Sequence, residues 1–150
     1  MGIQIGDKLP NFKATKQDGT AFDSHEIHEK PVVIYFYPKD FTPGCTTQAC
    51  SFRDAYQDFQ DLGAEVIGVS GDSASSHQNF QQKYKLPFIL LSDADRKLRR
   101  LFGVPTALLG LLPGRVTYVF DAKGYCIYIF DSMSAKNHIE RALKAIQKAK

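Results

Sequence analysis

The chain has 150 residues, 43% of them hydrophobic and 23% charged, and a formal net charge of +3. That length fits one domain over residues 1–150, able to bury a core without help from disulfides or metals. Scattered rather than clustered Lys and Arg give no ground for nucleic-acid binding, and no apolar run approaches the roughly 20 residues of a membrane span.

The start, Met1 to Asp7, lacks the basic residue and apolar stretch of a signal peptide, so a cytoplasmic location is expected. Residues Phe12–Thr15 and Thr20–Phe22 flank Gln17-Asp18-Gly19, and Asp-Gly marks a hairpin. After Pro31 the unbroken apolar run Val32 to Tyr37 reads as a strand buried on both faces, ended by Pro38. A helical pattern follows from about Pro43 to Leu62, and Gly63 stops it. Glu65–Ser70 reads as a second buried strand, Ser75–Tyr84 as a helix and Phe88–Leu91 as a short strand. A short helix beginning at Asp93 carries Leu98, Leu101 and Phe102. Its basic cluster, Arg96-Lys97-Leu98-Arg99-Arg100, is expected to be a solvated face. The apolar loop between Phe102 and Arg115, with Leu108 to Leu112 at its centre, either packs over the core or lines a pocket. Val116–Phe120 and Tyr125–Phe130 form strands around the turn Asp121–Gly124. The last helix, near Ala135 to Lys148, sets Ile139, Ala142, Leu143 and Ile146 on one face. This order predicts an α/β fold of the thioredoxin-like kind, with a mixed central sheet flanked by helices and an N-terminal β-hairpin.

The chemistry concentrates in Tyr37-Pro-Lys-Asp-Phe-Thr-Pro-Gly-Cys-Thr-Thr-Gln-Ala-Cys50, which runs from the end of a buried strand into a helix. Sites in open α/β sheets form at the carboxyl ends of strands. Cys45 falls in the first helical turn, with Pro43 near the start, where a missing N–H is harmless. Free backbone N–H groups and the helix dipole favour an anion there, and so the nucleophilic thiolate. On a helical wheel Cys45, Ala49, Phe52, Tyr56 and Phe59 share a packed face, while Cys50, Asp54, Gln57 and Asp61 share a solvent face. A five-residue step separates the two thiols by about 140° around the axis and about 7.5 Å along it. A disulfide needs Cα atoms roughly 4.4–6.8 Å apart, so Cys45 and Cys50 can join only if the first turn or two unwinds. Arg53 either reaches the site or makes a surface pair, and Asp40 and Asp54 are expected to be solvated.

Three cysteines in a chain of this kind argue against a structural disulfide framework, and the Cys45–Cys50 spacing is not that of a Cys-x-x-Cys exchanger. The histidines show no paired spacing with the cysteines, which disfavours zinc. Cys126 lies in the apolar segment Gly124-Tyr-Cys-Ile-Tyr-Ile and is expected to pack as a small hydrophobe.

The stretch Pro38-x-x-x-Thr42-x-x-Cys45 matches the peroxiredoxin active-site motif, and the longer Thr-Pro-Gly-Cys-Thr-x-x-x-Cys closely resembles the Q-type, or bacterioferritin comigratory protein, subgroup. The resemblance extends through Phe52-Arg-Asp, Val69-Ser-Gly-Asp and Leu112-Pro-Gly-Arg-Val-Thr-Tyr-Val. It implies a thiol-dependent peroxidase acting on hydrogen peroxide and organic hydroperoxides. Cys45 would be the peroxidatic cysteine and Thr42 would hydrogen-bond the thiolate and the peroxide. Pro38 would shield the site, and Arg115 would supply positive charge. Cys50 would be the resolving cysteine, unless it is a surface residue and an external thiol resolves. Thioredoxin or a similar dithiol would recycle the disulfide, no organic cofactor or metal would be needed, and the protein would be a monomer or weak dimer. A plastid location also fits, if a transit peptide has been removed. Two rival readings are a thiol–disulfide exchanger without peroxidase activity and a non-catalytic binding module. Thr42 and Arg115 together speak against the first, and peroxide-dependent loss of thiols would exclude the second.

Overall fold

The structure, a computed structural model, describes residues 2–27, 29–107, 112–134 and 137–149. Strands β1 (Lys13–Lys16) and β2 (Ala21–Asp23) pair antiparallel around Gly19, whose φ of +85° is the left-handed backbone that the turn requires. β3 (Val32–Phe36) is buried along its whole length, as an unbroken apolar run should be. The helical pattern after it is two helices, α1 (Pro43–Asp54) and α2 (Tyr56–Asp61), and not the one continuous helix expected. The backbone leaves helical geometry at Ala55 (φ −95°, ψ 2°), beyond Cys50, so both helix cysteines remain within α1.

Next come β4 (Glu65–Ser70), α3 (Ala74–Tyr84), β5 (Ile89–Ser92) and α4 (Lys97–Phe102). The short pair β6 (Thr106–Ala107) and β7 (Leu112–Pro113) brackets the centre of the apolar loop. Residues 108–111 of that loop lie outside the described residues. β8 (Val116–Phe120), β9 (Cys126–Asp131) and α5 (His138–Ala149) complete the chain.

Seven strands form one mixed sheet in the order β2-β1-β5-β4-β3-β8-β9. β3, β4 and β5 are parallel, and the others join antiparallel. The pleat of β3 sends alternate side chains to two cores. Val33 and Tyr35 face Phe52, Phe59, Phe80 and Ile146 from α1, α2, α3 and α5. Val32, Ile34 and Phe36 face Phe12, Phe22, Leu98 and Phe102 from the hairpin side and α4. The sheet is thus covered by helices on both faces, and the site lies at its upper edge, where β3 runs out into the loop before α1.

Glycine in the middle of β4 has a packing reason. Tyr35, Gly68 and Leu90 are register neighbours on β3, β4 and β5. The Tyr35 ring leans over Gly68, and a Cβ there would meet the Tyr35 hydroxyl and Leu90 Cδ2, both at 2.9 Å. Neither neighbour has room to retreat, because Tyr35 is stacked on Phe52 with ring centroids 4.6 Å apart and Leu90 is fully buried in the same core. Gly68→Ala is therefore expected to destabilise the fold by about 1–3 kcal/mol through overpacking. Urea unfolding of the two proteins measures it, and equal midpoints would show that the core has slack at this point.

Candidate active site

Local sequence sets the frame. Pro43 is the first residue of α1, and Thr42 precedes it with extended backbone (φ −75°, ψ 151°), as residues before proline prefer. Cys45 is therefore the third residue of the helix, in the turn whose N–H groups have no helical acceptor. Its side chain points into the sheet and is 1% exposed. From the residue just before β8 comes Arg115, 4% exposed, whose Nη2 donates to Cys45 Sγ at 3.2 Å. Arg115 Nη1 donates to Gln48 Oε1, and its Nε donates to the Met133 carbonyl at 2.9 Å. The guanidinium is thus held from three sides, two of them on α1 itself. Gly44 permits the approach: a Cβ at that position would stand 3.1 Å from Arg115 Nη2.

The expected site residues divide as follows. Cys45 and Arg115 meet. Thr42 sits at the helix start, but its hydroxyl donates to the Lys39 carbonyl at 2.8 Å. Pro38 is half-buried at the end of β3, and Cys50 is half-buried on the other side of α1. All three cysteines are free thiols. Cys126 packs in the sheet, where burial pushes its thiol up to about 11, consistent with an inert residue. Arg53 does not reach the site. It donates to Asp54 Oδ1 at 3.0 Å and to the Tyr84 carbonyl at 2.8 Å, tying α1 to the end of α3.

Asp40 corrects the sequence expectation, since it is buried and not solvated. Its carboxylate accepts from the Tyr37 hydroxyl (2.6 Å) and Ser76 Oγ (2.9 Å), and lies 2.7 Å from Nδ1 of the fully buried His77. His77 Nε2 faces the Leu91 carbonyl at 2.9 Å. Both ring nitrogens thus face oxygen. The Asp40 backbone N–H donates to Asp72 Oδ2 at 2.9 Å. Among the described residues Asp40, Asp72 and His77 form the one cluster with metal-ligand atoms within 4.8 Å of one another, and these atoms are taken up by the bonds just named. The cluster's work is to pin the loop between β3 and α1 against α3 and β5.

The basic cluster of α4 also departs from expectation. Arg96, Lys97 and Arg100 are exposed, but Arg99 is buried. Gln48, Asp40, His77 and Arg99 are the residues that sequence reasoning missed. Gln48 carried a readable signal, a polar residue one turn from Cys45 on the helix face otherwise occupied by Ala49 and Phe52.

Behind Arg115 stands a fully buried His138. Its Nε2 donates to the Ser132 carbonyl at 2.9 Å, and its Nδ1 accepts from Thr117 Oγ1 at 2.7 Å. Ser132 N–H in turn donates to the Arg115 carbonyl at 3.1 Å. Burial first, and then the nearby Arg115 charge, hold His138 below its ordinary value of 6.5.

The AhpC/TSA family model matches residues 5–129. The chain is 52% identical to peroxiredoxin Q, chloroplastic, of Oryza sativa subsp. japonica, over 97% of this chain and 67% of that one. Its fold superposes on the crystal structure of peroxidoxin BcpB from Mycobacterium tuberculosis with a TM-score of 0.90 at 32% identity, covering 99% of each chain. It superposes on the bacterioferritin comigratory protein of Xanthomonas campestris, studied for alkyl peroxide reduction, with a TM-score of 0.86 at 30% identity, covering 95% of this chain and 99% of that one.

Two outcomes follow from this geometry. His138 is neutral in the folded protein, so below about pH 6.5 the unfolded chain takes up a proton that the folded chain refuses. Its contribution to stability is whole above that pH and is lost as pH falls, until the folded residue itself protonates. Urea midpoints at pH 7.5 and 5.5 should therefore fall further in the native protein than in His138→Asn, and equal falls would refute the assignment. Gly44→Ala gains up to about 1 kcal/mol of helix propensity and loses a similar amount by crowding the held guanidinium, so stability is expected to change by less than about 1 kcal/mol. By displacing Arg115 it should slow oxidation of Cys45 by hydrogen peroxide about 10-fold. Stopped-flow oxidation beside urea unfolding tests both halves.

Proposed function

The chain belongs to the AhpC/TSA family and, within it, to the Q-type peroxiredoxins, which makes it a thiol-dependent peroxidase, and on that premise we propose that Cys45 is the thiol that attacks the peroxide. The observation that carries this assignment is the Arg115 guanidinium, 3.2 Å from a buried sulfur in the first turn of a helix. Sγ attacks the terminal oxygen of the hydroperoxide, an S–O bond forms and the O–O bond breaks. The sulfur loses two electrons and becomes a sulfenic acid. The leaving oxygen takes a proton and departs as an alcohol, or as water when the substrate is hydrogen peroxide. The negative charge that passes to that oxygen is what Arg115 is placed to meet, and fixed donors at developing charge are the largest catalytic contribution in most enzymes. Thr42, once its hydroxyl turns from Lys39, and Pro38 complete the wall on the loop side.

In the same reading Cys50 attacks the sulfenic sulfur, releasing water and forming the Cys45–Cys50 disulfide. An external dithiol of the thioredoxin kind then reduces it by exchange. α1 runs unbroken through both residues, so the disulfide state has lost the first turns of that helix. Both cysteines lie in one helix of one chain, which supports action as a monomer. Organic hydroperoxides are proposed as substrates beside hydrogen peroxide, by similarity to the Xanthomonas protein studied for alkyl peroxide reduction. The plant relatives are chloroplastic, so a plastid compartment is proposed alongside the cytoplasm.

One equivalent of hydrogen peroxide added to the reduced protein should lower the free thiols from three to one, with Cys45 joined to Cys50 and Cys126 untouched by mass spectrometry. Cys45→Ser should abolish peroxide consumption. Oxidation of Cys45 without the disulfide would keep the peroxidase and remove Cys50 from it, while no loss of thiol would overturn the reading.

A further inference from the structure

The antiparallel ladder between β3 and β8 ends at the pair Phe36 and Val116. Beyond it the strands part. Tyr37 turns its N–H to the Val69 carbonyl of β4 at 3.0 Å, and Pro38 has no N–H to offer. One arm leads into the loop that carries Pro38, Thr42 and Cys45, and the other brings in Arg115. The carbonyls of Tyr37 and Gly114 are left at the fork, and two acceptors cannot bond each other. A single donor group with two N–H directions can bridge them.

Arg99 supplies that group. Its Nη2 donates to the Tyr37 carbonyl at 3.2 Å and its Nη1 donates to the Gly114 carbonyl at 3.3 Å. It comes from α4, which packs on the face of the sheet opposite α1, and its guanidinium lies over the Phe36 ring at 5.6 Å. The residue is 8% exposed, and none of the ion pairs among the described residues includes it. Burial disfavours its charge and the nearby Asp93 carboxylate offsets part of that, while the two carbonyl bonds satisfy the guanidinium, which no direct ion pair reaches. The brace is itself rigid: Asp93 accepts the backbone N–H groups of Leu98 (2.8 Å) and Arg99 (2.9 Å), fixing the first turn of α4. Gly114 is confined from its other side, since a Cβ there would stand 2.1 Å from the Pro105 carbonyl oxygen.

We propose that Arg99 is a positioning residue for peroxide reduction, whose guanidinium bridges the Tyr37 and Gly114 carbonyls and so sets the spacing between the Cys45 loop and Arg115. Each of these carbonyls belongs to the peptide bond that enters a site residue, Pro38 in one case and Arg115 in the other. Arg99 touches neither Cys45 nor the peroxide, and it acts through the placement of both. The proposal rests on the reading that Cys45 and Arg115 act on the O–O bond.

The test compares two reactions of Cys45 in the native protein, Arg99→Gln and Arg99→Lys: oxidation by hydrogen peroxide, which uses the Arg115 donors, and alkylation by iodoacetamide, which has no O–O bond for them to meet. Arg99→Gln should oxidise about 10-fold or more slowly, since misplacements near 1 Å cost up to about 100-fold. Its alkylation, read at the high-pH plateau where the thiol is ionised in every variant, should stay within about threefold of native. A merely loosened fold would expose the buried sulfur and speed alkylation, the opposite signature. Arg99→Lys keeps the charge but not the planar fork, and should recover only part of the peroxide rate. A native rate in Arg99→Lys would show that charge suffices and overturn the bridge, and this variant decides alone if Arg99→Gln does not fold. A reactive native protein with an unimpaired Arg99→Gln overturns the proposal by itself. A native Cys45 inert to peroxide but open to iodoacetamide overturns the underlying reading and the proposal with it.

Discussion

In the proposed reading Cys45 reacts as an anion, a buried sulfur that does so needs a fixed cation beside it, and the contact between Cys45 Sγ and Arg115 Nη2 is the interaction around which the site is assembled. In a low-dielectric pocket such a pair is worth far more than at the surface, but only if neither partner can swing away. Arg115 cannot: its Nη1 is held by Gln48 and its Nε by the Met133 carbonyl. Gln48 and Cys45 lie one turn apart on α1, so the helix presents both to the same guanidinium and the pair is measured against the helix rather than against a loop. Gly44 lies between Pro43 and Cys45 because that is where the guanidinium comes closest to the backbone.

Two supports hold the halves of this arrangement from outside. On the α3 side, the buried Asp40 ties the loop after β3 to Ser76, His77 and the Asp72 carboxylate. On the β8 side, His138 and Thr117 buttress the turn whose carbonyl and N–H groups receive Arg115. The proposed bridge from Arg99 would join the halves from beneath. Asp40, His77, Arg99, Arg115, Thr117 and His138 are buried and bonded, and a buried network of this kind fixes one geometry because any other leaves an unpaired group.

Much of this was legible in the chain. Val32–Phe36 announced a strand covered on both faces, Asp18-Gly19 a hairpin, and the spacing of Pro43 and Cys45 a thiol in a helix's first turn. The reasons for the failures are as informative. Charged residues in a loop and in a basic run usually lie in solvent, so the sequence alone places Asp40 and Arg99 there. What reverses that default is a long-range partner: His77 for Asp40 is 37 residues away, and Tyr37 for Arg99 is 62. No local pattern encodes those meetings. The break at Ala55 escaped because the apolar spacing from Phe52 to Phe59 continues through it, and both rings are buried in the same core. Gln48 was within reach, since an amide on an otherwise apolar helix face calls for a partner.

The proposed catalytic cycle sets the site against itself, because the helix that holds the sulfur beside Arg115 must unwind before Cys50 can reach it. The distribution of buried side chains along α1 makes that affordable. Between Cys45 and Phe52 the buried residues are Gln48 and Ala49. Exposing Ala49 forfeits about 0.8 kcal/mol for one methyl group, and Gln48, already polar, exchanges its bond to Arg115 for water. Phe52 is different: it is stacked on Tyr35, packed on Phe59 and Phe88, and worth about 3–5 kcal/mol to its core. Once the sulfur is a neutral sulfenic acid its ionic hold on Arg115 is gone, so the helix is then weakly held up to Cys50 and strongly held two residues later, and unwinding can release both cysteines and stop at the aromatic cluster, leaving the core as the template on which the reduced site reforms.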